Sequence, residues 1–238
     1  MQNALYKVVE DANAALFDLF DGATIMSGGF GLSGGAENCI SAILASGKKK
    51  LTVISNNCGN QGKGLAVLLK SGQVKKVVCS YIGGNPDLEE LMLKSAIEVE
   101  LTPQGTLAER IRAAGAGLGG FFTPTGVRTL IAQNKEHRVI DGKEMIFETA
   151  LKADYAILRA HVADTFGNLR FYRTSQNFSK AMATAAKIAV VEAEKIVPFG
   201  SLDPDDIHLP GIFVKRVFLG KNHQNPIEHL KIRARNAA

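Results

Sequence analysis

Gln104 stands in the stretch I-E-V-E-L-T-P-Q-G-T-L-A-E-R-I-R, Ile97 to Arg112, where a β-like run meets a helix. The run Ile97–Leu101 ends at Thr102-Pro103, because proline has no N–H to continue a ladder. Gln104 and Gly105 then form a turn, and Thr106 is placed to cap a helix signalled by Leu107, Ile111 and Ala114. The Gln104 amide therefore falls at the carboxyl edge of a strand, the edge where open α/β sheets bind ligands. A neutral amide there donates a hydrogen bond to a developing oxyanion without titrating. The plain alternative is that Gln104 only shapes the turn. Beyond the helix, Gly115, Gly117, Gly119 and Gly120 lead into the turn Thr123-Pro124-Thr125-Gly126, a composition that implies close approach of the backbone to something.

Two further stretches carry chemistry. The apolar run Ala23–Met26 delivers the chain into S-G-G-F-G-L-S-G-G, and Ile40, Ile43 and Leu44 mark a helix after it. Strand, glycine loop and helix is the layout that presents backbone N–H groups to a phosphate or an oxyanion. The pattern is not G-x-G-x-x-G and lacks the P-loop lysine, so a tight turn with close helix packing fits it equally well. Leu51–Ile54 is a second buried strand, ending at S-N-N-C-G. There Asn56 and Asn57 can cap a helix, hold a turn, or bind a substrate carboxylate or amide.

The elements that must position these residues follow in order. Asp11 to Phe20 carries Ala14, Leu16, Phe17 and Phe20 at helical spacing; Lys75 to Tyr81 is a third strand; Leu88, Leu91 and Met92 make an amphipathic helix after the loop Ile82–Pro86. Three strand–loop–helix units before Gln104 predict an open, mostly parallel, doubly wound α/β sheet with helices on both faces. The later part is more mixed: two short strands around Asp141-Gly142 within Arg138–Phe147, a buried strand Ala153–Ala160, a hairpin turn at Phe166–Leu169, a helix Met182–Ala186 and a strand Ile188–Val191.

At 238 residues the chain is long enough for one large α/β domain over residues 1–238, with a polar, basic tail from Lys221 expected to fray. No apolar run approaches the roughly 18 residues of a membrane span, and Met1–Glu10 lacks a leader core, so the expected location is cytoplasmic. Cys39, Cys58 and Cys79 have neither zinc nor disulfide spacing and read as reduced thiols. The net charge of +5 suits an anionic ligand, but no basic cluster of nucleic-acid grade stands out.

T-P-Q-G-T-L-A-E-R-I-R-A-A-G-A-G, followed by F-F-T-P-T-G-V, resembles the alpha (A) subunit of family I CoA-transferases of the 3-oxoacid and acetate/acetoacetate type, and the resemblance runs from about Asp21 to Val217. It implies coenzyme A as substrate, no metal or permanently bound cofactor, and a beta subunit that supplies the glutamate nucleophile, in an α2β2 hetero-tetramer. It also implies a CoA contact at Gly28, Gly29, Phe30, Gly31, Leu32, Ser33 and Gly34, the oxyanion donor at Gln104, and an acyl-group contact at Asn56 and Asn57. Glu37-Asn38 mimics the nucleophile's E-N-G context but aligns with the helical turn after the glycine loop, where the helix dipole accounts for a glutamate. His161 and His208 read as packing or interface residues, since neither has a carboxylate paired with it in a motif. Departures from the family pattern fall at Ser27, Ala36, Gly62, Gly64, Arg128, Gln176, Ser179 and Lys180. The other readings are a CoA-thioester enzyme of the same scaffold (3-oxoadipate transfer, hydrolysis or decarboxylation), a sugar-phosphate isomerase and an effector-binding module. The last two lack, respectively, an acid–base pair and a DNA-binding helix pair in this chain.

Overall fold

Neighbouring side chains of the central strands part into two apolar layers. In β1 (Thr24–Ser27), β2 (Leu51–Ile54) and β3 (Val74–Cys79), Ile25, Val53 and Val77 join one buried cluster, while Met26, Ile54 and Val78 join another. That is the period-two alternation of a strand covered on both faces. The computed structural model describes residues 6–60 and 62–223, so most of the tail expected to fray lies outside the described residues. Helices α1 (Ala12–Ala15), α2 (Glu37–Ser46), α3 (Ala66–Lys70) and α4 (Pro86–Leu93) pack on the first layer. Helices α5 (Gln104–Gly115) and α6 (Ser179–Ala185) cover the second.

The main sheet has the order β11-β10-β8-β1-β2-β3-β4, with β4 at Glu98–Leu101, β8 at Ala153–Asp164, β10 at Ala186–Val197 and β11 at Arg216–Leu219. All of these pairings are parallel; only the short β9 (Leu169–Arg170) runs antiparallel, against β8. The chain winds outward from β1 in one direction through β4, then returns on the other side through β8. The carboxyl end of β1 is therefore a switch point, the natural place for a ligand crevice. A second sheet, antiparallel in the order β5-β7-β6, holds β5 (Gly120–Thr123), β6 (His137–Ile140) and β7 (Lys143–Thr149). Its hairpin turns at Asp141 (φ 50°) and Gly142 (φ 71°), the paired positive angles of a type I′ turn. Among the described residues no helix is long and apolar enough to cross a membrane, and the three cysteines are buried and free.

Several sequence expectations shift. The first helix stops at Ala15 rather than Phe20, because the chain turns to bring the Asp18 carboxylate onto Arg216 (2.6 and 2.7 Å) and the Tyr155 hydroxyl. Strands β8 and β10 run to 12 residues each, well past their expected ends. Gln104 is the first helical residue and not a turn residue: Pro103 (φ −52°, ψ 137°) starts α5 directly, so Thr106 lies inside it, buried and not capping. Among the late glycines, the close approach at Gly115 is helix packing. A Cβ there would sit 2.0 Å from Thr184 Oγ1 of α6. At Arg128, where the family has glycine, the backbone is indeed left-handed (φ 63°), and the exposed side chain reaches Glu144 at 3.5 Å.

Helix α2 is capped across the fold. Ala36 offers no side-chain cap, and the Asn38 and Cys39 N–H groups donate instead to Glu192 Oε2 of β10 at 2.8 and 3.4 Å, with Asn38 Nδ2 on Oε1 at 3.0 Å. Glu37 stands in the first turn of α2, where the helix dipole favours a glutamate, and the internal carboxylate of Glu192 takes the amides of Asn38 and Cys39. Glu192 is 1% exposed, and burial raises its pKa to about 7 against the pull of the Asn38 and Cys39 amides and Arg159. This packing makes two predictions. Gly115→Ala should destabilise by about 1–3 kcal/mol through overpacking on Thr184. Gly119→Ala, which meets open space, should stay within about 0.5 kcal/mol of the parent on chemical denaturation. For Glu192, folding raises the pKa, so the folded state keeps a proton that the unfolded chain releases. Its contribution is full below about pH 4.5 and is lost as pH rises through about 7, on the order of 3 kcal/mol. Wild type minus Glu192→Gln, unfolded by denaturant across that range, should show that loss; a difference independent of pH would refute it.

Candidate active site

Four loops, each leaving the carboxyl end of a strand, enclose a cavity of about 460 Å³. Phe30 and Gly31 follow β1; Asn56, Asn57 and Asn60 follow β2; Ser80, Tyr81, Gly83 and Gly84 follow β3; Gln104 follows β4. The sequence candidates Gln104, Asn56, Asn57, Phe30 and Gly31 thus converge on one wall. Leu32, Ser33 and Gly34 turn away from it. No charged side chain is among these lining residues.

A backbone donor sets the polarity of this wall. The Gly31 N–H donates to Asn56 Oδ1 at 3.0 Å, which identifies that atom as the oxygen and directs Asn56 Nδ2 the other way. Nδ2 then donates to Gln104 Oε1 at 3.2 Å and to Ser80 Oγ at 3.3 Å. Ser80 Oγ in turn donates to the Asn56 carbonyl at 3.0 Å. With Oε1 spoken for by a donor, Gln104 is left with its Nε2 hydrogens for the cavity. Asn56 is 3% exposed, whereas Gln104 is exposed at the helix start, so the fixed residue orients the accessible one. Asn57 has the turn-holding role that the sequence allowed it: its Oδ1 accepts from the Gly59 N–H at 3.2 Å, although the residue also lines the cavity.

The glycine loop differs from the open N–H cradle that its composition suggested. The N–H of Gly28 goes to the Ile157 carbonyl (3.0 Å), that of Gly29 to Asn177 Oδ1 (2.9 Å) and that of Gly31 to Asn56. Phe30 and Ser33 exchange backbone bonds at 2.9 and 3.0 Å. Asn177 Nδ2 also reaches the Ser33 carbonyl at 3.4 Å, and a Cβ at Gly34 would lie 3.1 Å from that nitrogen. The glycines are thus needed for backbone conformation (φ 119° at Gly29, 59° at Gly31, 79° at Gly34) and for close packing. What the loop shows to the cavity is the half-exposed ring of Phe30.

Sequence reasoning missed Ser80, Tyr81 and Asn60 in the wall, and Asn177 behind the loop. Ser80 and Tyr81 stand just past a strand's carboxyl end, the signal that singled out Gln104, while Asn177 lies in a segment whose approach to the loop only the fold shows. It also missed the partner of His161. Glu194 Oε2 lies 2.8 Å from His161 Nδ1, and its Oε1 accepts from Arg159 Nε and Nη2 at 3.0 and 2.7 Å. The paired carboxylate comes from the adjacent strand, so no motif could reveal it. Arg159 and His161 hold the Glu194 carboxyl below its ordinary range despite burial. His208 Nδ1 accepts from the Phe171 N–H at 3.0 Å and stacks on that ring, a packing role. Among the described residues no group of three or more His, Cys, Asp or Glu side chains could hold a metal ion.

A family model described as Coenzyme A transferase matches residues 9–220. The A subunit of the succinyl-CoA:3-ketoacid coenzyme A transferase of Helicobacter pylori is 51% identical over 228 residues, 96% of this chain and 98% of that protein. The A subunit of the 3-oxoadipate CoA-transferase of Pseudomonas putida is 47% identical over 89% of this chain and 92% of its own. Among solved structures, an acyl-CoA transferase apoenzyme from Escherichia coli O157:H7 shares the fold at a TM-score of 0.83 and 22% identity. That match covers 94% of this chain, which spans about half (49%) of the Escherichia coli chain. Glutaconate coenzyme A-transferase from Acidaminococcus fermentans shares it at 0.80 and 20% identity, over 90% of this chain and 75% of its own. Matched by the family model along nearly its whole length and close to half identical to relatives that it spans end to end, this chain belongs to the coenzyme A transferase family.

Proposed function

We propose that this chain is the A subunit of a CoA-transferase that moves CoA between an acyl-CoA and a 3-oxoacid or related carboxylate, and that a B subunit completes the site. The observation that carries this is the Gln104 amide, aimed by Asn56 into a cavity with no carboxylate among its lining residues. Relatives named as the A subunits of succinyl-CoA:3-ketoacid and 3-oxoadipate transferases support the same reading. In the proposed reaction a partner glutamate attacks the thioester carbonyl, giving an acyl-glutamyl anhydride and releasing the CoA thiolate. The thiolate attacks the glutamyl carbonyl of the anhydride, forming a glutamyl-CoA thioester and freeing the first carboxylate. The second carboxylate takes over the CoA by the reverse steps. Each step passes through a tetrahedral oxyanion, and a donor placed where that charge develops lowers the barrier. Gln104 Nε2 is that donor from this chain. Asn56 positions it, Asn57 stands beside the acyl group, and the loop Gly28–Gly34 meets CoA through Phe30 and its backbone surface. The four strand ends belong to one domain, and the working assembly is two copies of each subunit in the cytoplasm.

Two measurements test this. The purified chain alone should show no CoA transfer, and activity should appear when a B subunit carrying a glutamate nucleophile is added; robust turnover by the chain alone refutes the division of labour. In the assembled enzyme, Gln104→Ala should lower kcat by about 10²–10³ with little change in KM, since the bond strengthens in the transition state. Gln104→Glu should do no better, because its carboxylate repels the developing charge. If Gln104 merely starts the helix, both variants lose melting temperature and activity together, and near-normal kcat in Gln104→Glu ends the proposal.

A further inference from the structure

Two of the three cysteines stand behind the donor wall and touch each other. Cys58 lies in the turn that follows β2, and Cys79 is the last residue of β3; both are buried, at 1% and 0% exposure. Their side chains meet, the Cys58 thiol donating a hydrogen bond to the Cys79 sulfur. The Tyr81 N–H donates to the same sulfur. These donors hold the Cys79 thiol below its ordinary range despite burial, while the shared bond and burial push the Cys58 thiol up. Cys39, equally buried, has the Glu192 carboxylate as its charged neighbour, and burial first and that charge second push its thiol up. A thiol of lowered pKa with a second thiol in contact is the arrangement in which oxidation stops at a disulfide. Asn57 and Ser80, the chain neighbours of the pair, line the cavity, so the thiols lie just under its wall. Both ends are also tied to that wall. Asn85 Nδ2 donates to the Cys58 and Gly59 carbonyls at 3.0 and 3.1 Å, and the Ser80 and Tyr81 N–H groups donate to the Asn56 carbonyl at 3.0 and 3.2 Å.

We propose that Cys58 and Cys79 are an oxidative modification site: hydrogen peroxide converts the pair to a disulfide, and that bond switches off the donor wall. The Cys79 thiolate attacks one peroxide oxygen and the O–O bond breaks, giving a sulfenic acid and a hydroxide that leaves as water once protonated. The Cys58 sulfur gives up its proton and attacks the sulfenyl sulfur; the S–S bond forms, the S–O bond breaks, and a second water leaves. In sum the two thiols lose two electrons and two protons, and the peroxide takes up both. A dithiol reductant reverses the step by exchange. Sulfur atoms in hydrogen-bond contact must close to about 2.05 Å to be joined. That closure draws the turn after β2 onto the end of β3. Asn56, two residues before Cys58 and bonded to Ser80 and Tyr81, shifts with it, and the Gln104 amide loses the aim that Asn56 gives it. The loss of activity rests on the reading of the chain as the A subunit of a CoA-transferase; the oxidation does not.

The test is graded hydrogen peroxide on the assembled enzyme, with free thiols alkylated, the peptides of this chain weighed, and CoA transfer assayed in parallel. A linked Cys58–Cys79 peptide pair, lighter by the two hydrogens lost, should appear before Cys39 is modified. Over the same doses kcat should fall by up to about 10²-fold, the effect of moving a positioned group by roughly an ångström. Dithiothreitol should restore both. In Cys58→Ala the link cannot form, so Cys79 goes on to sulfinic acid and dithiothreitol no longer reverses the change. Cys79→Ala should keep Cys58 alkylatable and kcat steady at the same dose. Cys39→Ala serves as the control and should behave as the parent does. Peroxide that modifies Cys39 first, or that leaves Cys58 and Cys79 alkylatable while activity falls, would overturn the site. A disulfide that forms with kcat unchanged would overturn the switch and leave the transferase reading intact. An assembled wild type that transfers no CoA before oxidation would overturn that reading, while the link in the same sample is still scored by mass.

Discussion

The hydrogen bond from the Gly31 N–H to Asn56 Oδ1 decides the chemistry of the cavity. A side-chain amide can present either end, and two amides facing each other can settle in either of two complementary arrangements. A backbone N–H has no such freedom. Once it claims one end of Asn56, the other end must donate, Gln104 must accept, and the nitrogen left over is a donor. Asn56 is buried, and the loop that supplies Gly31 is pinned through Gly28 and Gly29, so the arrangement has little room to relax. Preorganisation of this kind is what makes a donor effective: its orientation is set by folding and needs no reorganisation when charge appears.

The same accounting of donors changes what a glycine-rich loop before a helix means here. In a phosphate-binding loop the spare N–H groups at the helix start are the binding site. Here Glu192 takes two of those at α2, and Asn177, Asn56 and Ile157 take others in the loop. Glu192 is a costly choice of cap, since burial works against its charged form. It stands in for the cap that Ala36 lacks, and with the Asn38 side chain, 154 positions away in the chain, it also links α2 to β10. The loop is consequently a rigid wall of the cavity rather than a cradle.

What the sequence made legible follows from the range of each interaction. Strand cores and helix faces are local patterns, so Leu51–Ile54 emerged with its own boundaries and the parallel sheet could be read from three successive units. Gln104, Asn56 and Asn57 were visible because the carboxyl end of a strand is a local feature that a proline or a turn marks. Boundaries set by distant partners were not visible. The first helix ended early for the sake of Arg216, some 200 positions on, and β8 and β10 ran longer because each shelters the other across their shared register. Glu194 beside His161, Glu192 under α2 and Asn177 behind Gly29 are all contacts between elements far apart in the chain. None leaves a spacing that a reader of one sequence could recognise.

The switch in winding direction at β1 explains why these contacts matter to the chemistry. Strands β2 to β4 lead away on one side and carry the uncharged asparagine, serine and glutamine wall; β8 and β10 lead away on the other and carry arginine, histidine and glutamate. A wall without a fixed carboxylate suits an oxyanion donor, because a resident negative charge there would oppose the charge that develops on the reacting carbonyl. The uncharged wall and the charged cluster both touch the loop between β1 and α2, and the fold keeps them apart by the width of that loop. Asn56, Asn177 and Glu192 hold that loop and the helix after it in place, so the geometry of the donor wall is set independently of the charged cluster on the other side.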